Sequence, residues 1–106
     1  LRVFEALRRR NGFARVQRRG KRRVGTHLVL LALPGRDRTR VGITVAKPVG
    51  NAVVRNRLRR RIKSILDGHE LDRPPYRDLL FIARPGSGEA PFATLRSEVA
   101  QLLASG

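Results

Sequence analysis

Apolar and polar positions alternate along this chain with two different periods. Val54, Leu58, Ile62 and Ile65 are spaced four, four and three residues apart, which predicts a helix with one apolar stripe. Asn51 closes the turn "PVGN" and is placed to cap that helix, expected over Asn51–Leu66. In "RVGITVAK", Val41, Ile43 and Val45 alternate with Gly42, Thr44 and Ala46, the signature of a strand over Val41–Lys47 with one buried face. Val24–Leu33 reads as one long strand closed by "PGRD", and Leu79–Arg84 as a short strand apolar enough to be buried on both faces. Two more helices complete the pattern. The first, "GFARVQRR", is capped by Asn11 and ended by Gly20, with Phe13 and Val16 on one face. The last is introduced by Pro91 and has Phe92, Leu95, Val99 and Leu102 as its buried stripe. The order α–β–β–α–β–α, with the long strand split or bent, is an α+β sandwich. A chain of 106 residues forms one domain, 1–106, expected to pack its helices on a central sheet of about four strands.

Charge changes the picture. The net charge is +16, from 24 basic and 8 acidic residues, and only Lys21, Lys47 and Lys63 are lysines. Arginine's planar fork binds phosphate bidentately and stacks on bases, so this bias points to a polyanionic partner. Around the central helix, Asn56, Arg59, Arg60 and Lys63 fall opposite the apolar stripe, with Arg57 and Arg61 on one flank and Arg55 on the other. A merely solvated helix face interleaves glutamates with its cations. No acid occurs between Asp37 and Asp67, so this face reads as a nucleic-acid surface.

Other chemistry is poorly supported. The acids Glu5, Asp37, Asp67, Glu70, Asp72, Asp78, Glu89 and Glu98 are scattered or sit in connectors, and none forms a catalytic pair. His27 and His69 read as two surface histidines rather than an acid–base couple. "GSGEA" lacks the glycine spacing and lysine of a phosphate-binding loop. Without cysteine there are no disulfides or thiolate metal sites. The longest apolar run, Leu28–Leu33, is too short to span a bilayer, and "LRVFEALRRRNG" lacks a signal peptide's apolar stretch. The expectation is a cytoplasmic protein with no membrane association; the chain does not start with Met, which leaves room for residues upstream.

The segment "VGITVAKPVGNAVVRNRLRRRIKSIL" resembles the signature of the bacterial ribonuclease P protein subunit. "NGFARVQRRG" is similar to that family's first helix, "HLVLLAL" to its first long strand and "LLFIARP" to the strand after the basic helix, so the likeness spans about Leu7 to Leu103. The resemblance implies a protein that is not itself the catalyst. A large RNA, ribonuclease P RNA, holds catalytic Mg2+ and removes the 5′ leader of precursor tRNA, and no protein-held cofactor or obligate protein partner is implied. By position, Arg55, Asn56, Arg57, Arg59, Arg60 and Lys63 would meet the RNA subunit, with Lys47 and Asn51 at the entrance to the helix. Phe13, Val16, Gln17, Val29 and Leu31 would line a leader cleft between the first helix and the sheet. Relatives often carry an aromatic where Gln17 stands and a tyrosine where Leu31 stands. Leader contacts are therefore expected to lean on Arg15, Arg18, Arg19 and the sheet's polar groups, with Phe13 the remaining aromatic of that helix. The family also implies a left-handed βαβ crossover, against the general rule. The rival readings are a structural RNA-binding protein of ribosomal type, a histidine-dependent nuclease and a DNA-binding protein.

Overall fold

The computed structural model describes residues 3–105. Its five strands are β1 (Glu5–Ala6), β2 (Lys21–Val24), β3 (Leu28–Pro34), β4 (Arg40–Thr44) and β5 (Arg77–Ala83), in the spatial order β1-β4-β5-β3-β2. The helices are α1 (Asn11–Arg19), α2 (Ala52–Asp67) and α3 (Phe92–Ala104). The α+β class is as expected, with five strands rather than about four.

The Val24–Leu33 segment is split, as the expected order allowed, and belongs to a hairpin: β2 begins at Lys21 and the chain turns between Val24 and Leu28. The Gly25 N–H donates to the Leu28 carbonyl at 2.7 Å. A Cβ on Gly25 would lie 2.5 Å from Glu98 Oε2 and 2.9 Å from the Leu28 carbonyl oxygen, so the turn needs glycine. The extra strand β1 is two residues long, too short for alternation to reveal, and pairs parallel with Arg40 and Val41 of β4.

Element ends also shift. β4 stops at Thr44, and Lys47 opens a 3-10 turn, Lys47–Val49, rather than ending the strand. β5 starts at Arg77, two residues before the expected Leu79. Asn11 lies inside α1, with Arg10 at the N-cap and no side-chain cap bond, whereas Gly20 ends the helix by donating to the Val16 carbonyl at 2.7 Å. Asn51 does cap α2: its Oδ1 accepts from the Val54 N–H at 3.0 Å.

β5 is the central strand, antiparallel to β3 and parallel to β4, which α2 connects to it. Leu79, Leu80 and Phe81 are all fully buried, consistent with a strand covered on both faces. On one face Leu30, Ile43, Leu79 and Phe81 pack with Leu58, Ile62 and Ile65 of α2 and with Leu95, Val99 and Leu102 of α3. Each such side chain contributes about 1.5–3 kcal/mol on full burial. On the other face α1 closes a smaller cluster of Leu7, Val16, Leu31 and Leu80. Phe92, expected in the stripe of α3, is instead exposed at the first residue of that helix.

Candidate nucleic-acid interface

Among the described residues, none of the six cations of α2 pairs with a carboxylate. Asn56, Arg57 and Arg60 are exposed, as is Lys47 in the turn before the helix, while Arg55, Arg61 and Lys63 are half-buried. Asn51 is exposed, but its side-chain oxygen is used by the helix cap. Arg59 departs from the wheel. Its guanidinium does not stand opposite the stripe but bends back to the sheet, donating to the Val45 carbonyl at 3.4 Å and to Asn56 Oδ1 at 3.0 Å. The Nε groups of Arg55 and Arg59 are buried without a hydrogen-bond partner.

On the other face, the Phe13 ring occupies the space above Gly42, where a Cβ would overlap ring atoms Cε1 and Cζ. Val16 has no exposed surface, and Val29 and Leu31 retain only 6% and 7%. Val16, on the underside of α1, and Val29 and Leu31 of β3 are therefore covered rather than forming an open wall, because α1 rests directly on β3 and β5. Gln17, Arg18 and Arg19 are exposed.

Arg15 is not a free cation. Its guanidinium is paired with the carboxylate of Asp78, a residue of β5 with 2% exposure on the face that α1 covers. Arg40 Nη1 lies 4.0 Å from the second oxygen, which has no hydrogen bond. The acids are thus not all scattered or in connectors: Asp78 sits in a strand and Glu98 in α3, both buried. Glu98 accepts from the backbone N–H groups of His27 (2.9 Å) and Leu28 (2.7 Å), and its other oxygen lies 3.0 Å from His27 Nδ1. His27 is consequently a half-buried structural residue rather than a surface histidine, and no bond links it to His69. Glu98 did carry a sequence signal. It stands three residues after Leu95 and four before Leu102, on the apolar side of its helix, where a carboxylate needs a partner.

The α1 and α2 surfaces, read from sequence as separate, meet in one cavity of about 250 Å³. Phe13 and Arg9 line it from the α1 side, Gly42 and Ile43 from β4, and Arg59 and Lys63 from α2. The two helices lie on opposite faces of the sheet, and they meet because β1 pairs with β4 only at Arg40 and Val41. Among the described residues no strand covers that edge beyond Val41, so side chains from both faces reach round it. Arg9 had no sequence signal beyond its place in an arginine run. An aromatic ring with three cations and no acid can stack a base and hold its phosphate. Among the described residues no three acidic or histidine side chains converge on a metal position, and no helix is long and apolar enough to cross a membrane.

Comparison with known proteins agrees with this architecture. The Ribonuclease P family model matches residues 1–105. The ribonuclease P protein component of Clostridioides difficile is 37% identical over 102 residues, covering 93% of this chain and 89% of that protein. The corresponding protein of Gluconacetobacter diazotrophicus is 42% identical over 101 residues, covering 92% of this chain and 86% of that one. The solved structure of the RNase P protein from Thermotoga maritima superposes with a TM-score of 0.82 at 31% identity, covering 93% of this chain and 94% of that one. With its sheet order, its basic central helix and a match across nearly its whole length, the chain belongs to the ribonuclease P protein family.

Proposed function

We propose that this chain is the protein subunit of a ribonuclease P ribonucleoprotein, binding the catalytic RNA through α2 and the 5′ leader of precursor tRNA beside α1. The observation that carries the reading is that Arg59 and Lys63, from the run of α2 cations with no acid between Arg55 and Lys63, meet Phe13 in one cavity. Arg55, Arg57, Arg60 and Lys63 would neutralise phosphates of the RNA subunit, releasing counterions. Phe13 would offer its face to a leader base, with Arg9 and Arg59 on the adjoining phosphates. Arg18 and Arg19, exposed at the end of α1, would extend that track. Arg15, held by Asp78, would position α1 more than it would bind RNA.

Leader cleavage by the proposed ribonucleoprotein would use Mg2+. The chain's own donor groups do not fit a metal site, since no three acids or histidines converge among the described residues. No step is therefore assigned to a protein-held ion, and in this reading the metal would be held by the RNA. The protein's contribution is screening: arginines between two polyanions reduce the repulsion that divalent ions otherwise have to offset.

Reconstitution tests this. Adding the protein to a bacterial ribonuclease P RNA should restore leader cleavage at low Mg2+, and the protein alone should not cleave. Arg57→Ala with Arg60→Ala should lower both the affinity for that RNA and the slope of its salt dependence. An unchanged slope would mean that these arginines serve only solvent.

A further inference from the structure

A second basic cavity, of about 490 Å³, lies near the β2 edge of the sheet, away from the β4 edge where α2 meets α1. Four cations line it: Arg19 from the end of α1, Lys21 and Arg23 from β2, and Arg77 from β5. Pro75 and Tyr76 line it beside Ala32, Leu33 and Pro34. Lys21 and Arg23 point to the α3 side of the sheet because they pair with Ala32 and Leu30, and Leu30 faces that core.

Two of these cations are held in place. Arg23 Nη1 donates to the Leu102 carbonyl and Arg77 Nη1 to the Leu103 carbonyl, each at 3.1 Å, at the C-terminal end of α3. Helix C-termini favour positive charge, which explains how two guanidiniums can be kept side by side. Their proximity still costs energy. Burial lowers the pKa of Arg77, and the charge of Arg23 lowers it further. None of the four cations pairs with a carboxylate among the described residues. Each guanidinium uses Nη1 for the helix and has further N–H donors for an anion.

We infer that this cavity is a second RNA site, taking one nucleotide of a single-stranded segment with its base against Tyr76 and Pro75 and its phosphates on Arg19, Lys21 and Arg23. The inference rests on the RNA-binding reading above. Charge complementarity selects a polyanion, and the aromatic wall selects one with exposed bases. A duplex keeps its bases stacked inside and has no use for that wall. Arg19 joins the site to the exposed end of α1, so a strand running along α1 can continue into it.

The chain has one tyrosine and no tryptophan, so its intrinsic emission reports on Tyr76 alone. The intact protein is titrated with a short, end-labelled oligouridylate, following label anisotropy and tyrosine emission together. The expected result is binding accompanied by quenching with the same midpoint. Lys21→Ala combined with Tyr76→Leu should weaken oligonucleotide binding about fivefold or more, the lower end of what one stacked base contributes. Thermal unfolding checks that the double variant is folded, and Lys21→Ala alone, at an exposed position, should weaken binding in the same direction. Absence of binding, binding without quenching, or affinity unchanged in both variants overturns the site. Arg57→Ala with Arg60→Ala, measured against ribonuclease P RNA, tests the α2 reading separately, so failure of one is distinguishable from failure of the other.

Discussion

Replacing Glu98 by alanine should be among the most costly single changes away from the apolar core. The carboxylate reaches from α3 to the β2–β3 turn and satisfies two backbone donors, His27 N–H at 2.9 Å and Leu28 N–H at 2.7 Å, besides the His27 ring at 3.0 Å. Removing it leaves both N–H groups without their partner in a region where Leu28 is fully buried. An unsatisfied buried donor costs about 1–3 kcal/mol. Water reaches the His27 side more easily, so the sum is about 3 kcal/mol rather than the full range. Unfolding entropy of about 2.1 cal/mol/K per residue gives roughly 0.22 kcal/mol/K for a chain of this size, so Glu98→Ala should lower Tm by about 13 °C. His27→Ala is the control. It removes the ring but keeps both backbone donors paired, and should cost about 1 kcal/mol or less. Circular dichroism melts of both variants, with amide exchange at Leu28, make the comparison. If Glu98→Ala melts within about 4 °C of the parent, or His27→Ala is equally damaging, the carboxylate does not anchor the turn through its backbone.

Two further outcomes depend on α1. Gly42→Ala drives a methyl into the Phe13 ring and should destabilise by about 1–3 kcal/mol while weakening precursor tRNA binding in the holoenzyme; unaltered melting and binding would show that the ring does not rest on β4. Arg15→Ala strands the Asp78 carboxylate, with Arg40 Nη1 still 4.0 Å away. A fully buried pair broken this way loses about 3–5 kcal/mol, but the Arg15 side chain is 45% exposed, so about 1–2 kcal/mol is expected. Partial recovery of Tm in Arg15→Ala with Asp78→Asn should follow, and no recovery would locate the loss elsewhere.

The clearest sequence signals are those with local causes. The stripe Leu58, Ile62, Ile65, the Asn51 cap and the stop at Gly20 all follow from spacing within one or two helical turns. The cations of α2 and the lack of acids among them are likewise visible within a single segment, as is the "GNAVVRNR" resemblance. The features without a local signal depend on partners far along the chain. β1 exists only because β4 lies beside it, and two residues contain no period of their own. The turn between β2 and β3 is tied to Glu98, about seventy residues away, whose carboxylate accepts from the Leu28 N–H and, together with the Leu28 carbonyl, leaves no room for a side chain at Gly25. Arg15 looks like one more RNA-binding cation until Asp78 is brought beneath it. The meeting of Phe13 with Arg59 and Lys63 required something no helical wheel contains, a sheet edge left open after two residues of pairing. Helical periodicity reports which side of an element is apolar. Which elements lie next to one another, and therefore which charges are free, is set by long-range packing against the sheet.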